Sequence, residues 1–186
     1  MVEEESCAGM ICTPERVYGR YRVYAPEGRV RVAIGPHWYI SLLTLVFIAV
    51  VGHAVFNFLG SYLPPWLRAA YLALWLLCLT SYVAIILLDP GIVPRRGGPD
   101  PEKRPGGELS KCAQCNAWSR GVAVGHCSSC EICIEGFDHH CPWIGKCVGR
   151  RNVWLFYVFV GSLPALYALI LACGLSIALG RYTLKA

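Results

Sequence analysis

Residues 112–147 read CAQCNAWSRGVAVGHCSSCEICIEGFDHHCPWIGKC, and these 36 residues hold seven of the chain's eleven cysteines and three of its five histidines. Cys112-Ala-Gln-Cys115 is a Cys-x2-Cys knuckle, the turn with which two sulfurs grip one metal. Cys127-Ser-Ser-Cys130 and Cys130-Glu-Ile-Cys133 are two more, sharing a residue. With His126, His140 and Cys147 interleaved, the spacing is that of metal ligands, and it implies reduced thiolates on the cytosolic side instead of a secreted disulfide framework. An iron–sulfur or redox centre would not need the histidines. Six cysteines and two histidines fill two tetrahedral zinc sites of the Cys3His kind, which leaves one cysteine and one histidine over. The leftover pair falls within Asp138-His139-His140-Cys141. A structural zinc site is closed by its four ligands, whereas a cysteine left beside a histidine and a carboxylate has the ingredients of an activated nucleophile. Spacing alone does not say which ligands share an ion, because several partitions fit. A segment with so little apolar content cannot build its own core, so metal binding is expected to supply much of its folding energy.

On either side of this cluster the chain turns apolar. Hydrophobic residues make up 55% of 186 and the mean hydropathy is +0.46, too apolar for a small soluble domain. Residues 38–59, broken only by His53 and Asn57, are long enough to cross a hydrocarbon core of ~30 Å at ~1.5 Å per residue. A connection through Gly60, Ser61, Pro64 and Pro65 leads to a second span over 69–88, and Asp89-Pro90-Gly91 stops that helix. A tether opening with Arg95-Arg96-Gly97-Gly98-Pro99 runs into the metal module. A third span covers 153–179, where Pro164 and Gly174 bend the helix without ending it. The predicted fold is therefore an all-α multi-pass membrane protein with three transmembrane helices and a small cytosolic zinc-binding domain of β-hairpin-like knuckles. Its parts are an N-terminal segment 1–37, a helical hairpin 38–88, the cysteine-rich domain 89–152, the third helix 153–180 and a tail 181–186.

Five arginines precede the first span, nine lysines and arginines lie between Asp89 and Val153, and the first connection holds only Arg68. Positive charge thus places the N-terminus and the cluster in the cytosol, against which Arg181 and Lys185 count mildly. The net charge of +5 is modest and its basic residues flank the spans, where they meet anionic lipid headgroups; nucleic acid is excluded as a partner. No signal peptide, myristoylation or prenylation pattern is present, so the spans are expected to be the anchor.

His126-Cys127-x2-Cys130-x2-Cys133-x4-Asp138-His139-His140-Cys141-Pro142-Trp143, continued by Cys147-Val148-Gly149-x2-Asn152-x3-Phe156, resembles the cysteine-rich domain of the DHHC protein S-acyltransferases, the palmitoyltransferases. Asp89-Pro90-Gly91 is similar to that family's turn after the second span. The resemblance implies one zinc on Cys112, Cys115, His126 and Cys133 and another on Cys127, Cys130, His140 and Cys147, with Asp138, His139 and Cys141 left for catalysis. It implies an acyl thioester on Cys141, formed from palmitoyl-CoA as co-substrate and passed to membrane-proximal cysteines of protein substrates, in endomembranes (Golgi or ER) or the plasma membrane. Lys146, Arg150 and Arg151 are candidates for the coenzyme A phosphates, with headgroup contact as the alternative. The chain departs from the family's four-span pattern and its Thr-Thr-x-Glu motif: Thr183 stands alone, and 116–125 lack the basic-proline signature. The acyl cavity is then expected to lack a wall, which a second copy or a partner subunit would supply. The rival reading is a catalytically inactive, zinc-stabilised membrane adaptor that binds transferase partners or clients. His53 and Asn57, four apart on one helical face, line a cavity or pack between helices. Cys78 and Cys173 are small apolar residues in spans, Cys7 and Cys12 bystanders, and Trp143 a packing or interface residue.

Overall fold

Three apolar runs become helices in the computed structural model: α1 (Trp38–Gly60), α2 (Pro65–Leu87) and α3 (Val153–Ala178). The structure describes residues 15–24, 31–93, 109–112, 114–115, 118–120 and 122–182. Cys7, Cys12, Thr183, Lys185 and the tether through Arg95 and Arg96 lie outside the described residues. Helices of 23, 23 and 26 residues are long and apolar enough to cross a membrane, since even the shorter ones reach about 34 Å. Helix α2 starts at Pro65 instead of about Ala69, because a proline in the first turn has no amide to orphan, and Pro64 accepts the Leu67 and Arg68 amides at 3.1 and 3.2 Å. Pro164 and Gly174 lie inside α3, which continues through both.

The chain forms two compact units, one of residues 1–41 and 85–154, the other of 42–84 and 155–186. In the second, the half-buried Trp75 indole donates to Ile48 at 3.1 Å and the buried Tyr71 hydroxyl donates to Gly52 at 2.9 Å, so α1 and α2 are tied by polar groups that lipid cannot satisfy. Tyr82 meets Phe159 at 5.0 Å, and Leu59, Leu63 and Cys173 form an apolar cluster.

The first unit contains ten short strands among the described residues. β1 (Glu15–Tyr18), β2 (Tyr21–Tyr24) and β3 (Val32–Ile34) form an antiparallel sheet. β4 (Ile92–Val93) pairs with β8 (Ile132–Glu135), which pairs with β7 (Val124–Cys127); β5 (Leu109–Lys111) pairs with β6 (Trp118–Arg120). β9 (His139–Cys141) and β10 (Lys146–Val148) make a hairpin over a 3-10 turn at Pro142–Ile144. Sequence reading assigned no element to the N-terminal segment and no core to the metal module, and both points change here. Tyr21, Val23 and Ala33 from the N-terminal sheet pack with Ile92, Ile132 and Ile134 around Cys127, Cys130 and Cys147, so the sheet furnishes a core that the cluster lacks by itself.

Candidate functional site

Two of the three knuckles close against strands, while Cys130-Glu-Ile-Cys133 is divided, Cys133 joining the first donor group and Cys130 the second. The first group brings Cys112 and Cys115, beside β5, to His126 of β7 and Cys133 of β8, whose backbones are cross-strand partners. The second brings Cys127 and Cys130 to His140 of β9 and Cys147 of β10, again cross-strand partners. Within each group the donor atoms all lie within 4.8 Å of one another. A tetrahedral zinc with bonds of about 2.3 Å to sulfur and about 2.0 Å to nitrogen holds its donors roughly 3.5–3.8 Å apart. His126 Nδ1 stands 3.2 Å from Cys115 Sγ and 3.7 Å from Cys133 Sγ. His140 Nδ1 stands 3.3, 3.7 and 3.8 Å from Cys130, Cys147 and Cys127, and Cys147 Sγ lies 3.5 Å from Cys130 Sγ. These are the edges of tetrahedra, too long for disulfides, and the donor sets fit zinc.

The electrostatics point the same way. Cys130's hydrogen bond and then burial push the Cys147 thiol up, and burial followed by Cys112 and Cys115 pushes the Cys133 thiol up. A divalent cation reverses both shifts by supplying the charge that packed thiolates need. Burial first, then the His37 and His139 rings, hold the His140 imidazole low and so in the neutral, ligating form. His37 lies edge-on to it with ring centroids 5.4 Å apart.

Successive strand residues face opposite sides. In β9 this separates two adjacent histidines: His140 shares a face with Cys147 and joins the metal donors, while His139 and Cys141 share the other face. Cys141 belongs to neither donor group and is 7% exposed. Asp138 Oδ2 accepts from His139 Nδ1 at 2.9 Å, which orients the ring with Nε2 on the side away from the carboxylate.

The basic candidates separate. Lys146 is 1% exposed and donates to three backbone carbonyls, so its ammonium is turned inward, not toward a phosphate. Burial pushes it down to about 7 against the pull of Asp89 and Cys147. Arg151 binds Asp89 Oδ2 at 3.1 Å but stays partly exposed, and Arg150 is exposed. Asp89 Oδ1 also accepts the Gly91 and Ile92 amides, both at 2.9 Å, and so holds the turn after α2. Asn152 accepts the Gly149 amide and donates to Cys147, bracing the end of β10.

His53 and Asn57 bond to one another at 2.9 Å on an exposed face of α1, and Trp143 is 69% exposed. Sequence reading missed Tyr21, fully buried, whose hydroxyl accepts the Cys147 amide at 2.7 Å. The available signal was Val17-Tyr18 and Tyr21-Arg22-Val23-Tyr24 flanking Gly19-Arg20, two alternating runs about a two-residue turn.

Residues 106–184 match the family model described as DHHC palmitoyltransferase. The human protein named palmitoyltransferase ZDHHC18 is 34% identical over 83% of this chain and 46% of its own length. The rat protein of that name is 34% identical over 83% and 47%, and zebrafish palmitoyltransferase ZDHHC14 is 33% identical over 83% and 36%. The chain spans about half the length, or less, of these curated relatives. Residues 106–184, then, are a DHHC palmitoyltransferase family domain within this chain.

Proposed function

We propose that the chain is a protein S-acyltransferase in which Cys112, Cys115, His126 and Cys133 hold one structural zinc and Cys127, Cys130, His140 and Cys147 a second. Cys141 is the nucleophile, His139 the base and Asp138 the residue that orients it. His139 Nε2 takes the Cys141 proton, and the sulfur attacks the carbonyl of a long-chain acyl-CoA thioester. The bond from carbonyl carbon to coenzyme A sulfur breaks, the proton passes to the departing thiolate, and the acyl group rests on Cys141. A protein cysteine then repeats the exchange, with His139 again as base, so no oxidant or reductant is consumed. Holding a palmitoyl chain in apolar surroundings is worth about 0.8 kcal/mol per methylene, enough to retain the intermediate between half-reactions. Arg150 and Arg151 are the basic side chains with exposure suited to the coenzyme's phosphates. The distribution of positive charge supports a cytosolic cysteine-rich domain over 89–152, acting on cysteines near the membrane.

The observation that carries this reading is the division of labour across β9: His140 faces the metal donors, while His139, bonded to Asp138, faces the side of Cys141. Purified protein incubated with radiolabelled palmitoyl-CoA is expected to acquire a hydroxylamine-labile label that Cys141→Ser loses. Absence of label in both detergent and bilayers would sink the reading and leave a zinc-stabilised adaptor.

A further inference from the structure

Lys146 of the reactive hairpin is buried, 1% exposed. It is the cross-strand partner of Cys141, and strand alternation turns both to the face opposite His140 and Cys147. Its Nζ donates to the carbonyl oxygens of Ala33 in β3 at 2.6 Å, Ile86 in the last turn of α2 at 3.0 Å and Leu88 just beyond at 2.8 Å. An ammonium has three donors, so these carbonyls use all of them. The end of a helix leaves carbonyls without intrahelical partners, and a cation there is favoured by the helix dipole. The hairpin is also wedged by its turn. His37 donates its amide to Gly145 O at 3.3 Å, and Gly145 adopts φ +64, where any Cβ would strike Ser41 Oγ and the His37 carbonyl.

On one face of the hairpin His140 and Cys147 join the metal donors, and the Tyr21 hydroxyl accepts the Cys147 amide. Lys146 holds the opposite face. We propose that Lys146 is a positioning residue for Cys141: its ammonium ties β10, and through the β9–β10 ladder the nucleophile, to the end of α2 and to β3. This rests on the acyltransferase reading and deepens it.

The test uses the full zinc-loaded chain and the variants Lys146→Met, which keeps the length of the stem without its donors, and Lys146→Ala, with and without added propylammonium. Three quantities are read: zinc per chain, the rate at which iodoacetamide alkylates Cys141 as mapped by peptide mass, and the rate of acyl-enzyme formation from palmitoyl-CoA. Lys146→Met is expected to keep its zinc. Alkylation of Cys141 should slow about tenfold, and acylation at saturating palmitoyl-CoA about tenfold to a hundredfold, with the half-saturating concentration unchanged. Propylammonium should restore part of the rate in Lys146→Ala and do nothing to Lys146→Met. Wild-type rates in Lys146→Met, a loss of rate that only tracks loss of zinc, or no rescue of Lys146→Ala would each overturn the proposal. Should the unaltered chain be alkylated at Cys141 yet never acylated, the transferase reading fails, and the alkylation comparison still decides the role of the lysine.

Discussion

At the scale of single residues, two neighbouring histidines of one strand face opposite sides of it, and substitutions should separate their proposed roles. His139→Ala is expected to keep both zinc ions and to slow acylation about 10²- to 10⁴-fold, the range a positioned base contributes. His140→Ala, by contrast, should lower the zinc content toward one per chain by opening the second donor set. Elemental analysis beside acylation of the same preparations reads both. Tyr21→Phe tests the buried hydroxyl that receives the Cys147 amide. Leaving that amide unpaired should cost about 1–3 kcal/mol of stability, read as a lower thermal midpoint of the zinc-bound unit.

At the scale of elements, the turn after α2 and the β9–β10 hairpin are built on buried polar groups whose partners come from distant segments. Asp89 is 1% exposed and takes two turn amides with one carboxylate oxygen and the Arg151 guanidinium with the other. Asp89→Ala would orphan those amides inside the fold and leave Arg151 without its carboxylate. A loss of about 3–5 kcal/mol is expected, and hydrogen exchange localised to 89–93 and 148–152 is the measurement. Arg151→Ala removes one exposed partner and leaves the turn amides bonded, so its effect should stay within about 1 kcal/mol. Equal destabilisation by the two substitutions would mean that the ion pair, not the turn, is what Asp89 serves.

At the scale of the whole molecule, metal and apolar burial support different parts of the chain. Chelation should strip two zinc ions and expose the unit that contains the ten strands, while the helical circular dichroism of the three spans persists in detergent, because their backbone bonds are internal to each helix. The spans were legible in the sequence because length and apolarity act locally: 38–59 and 153–179 differ from α1 and α3 by one residue at a terminus. The cysteine and histidine inventory was equally legible, since Cys-x2-Cys is a turn that carries its own geometry, and the excess of one cysteine and one histidine was arithmetic. What stayed hidden depends on segments far apart in the chain. Lys146 reads in sequence as one more basic residue near a membrane, and only the arrival of Ala33, Ile86 and Leu88 makes it a buried strut. The N-terminal strands leave only two short alternating runs as their signal, and they become a sheet where Tyr21 and Val23 find Cys130, Ile132 and Cys147 to pack against. The linear chain by itself determined three spans, ligands enough for two metal ions and one sulfur to spare. Which face that sulfur occupies, and what braces it, were decided by cross-strand register and by hydrogen bonds bridging residues tens of positions apart, which no local pattern encodes.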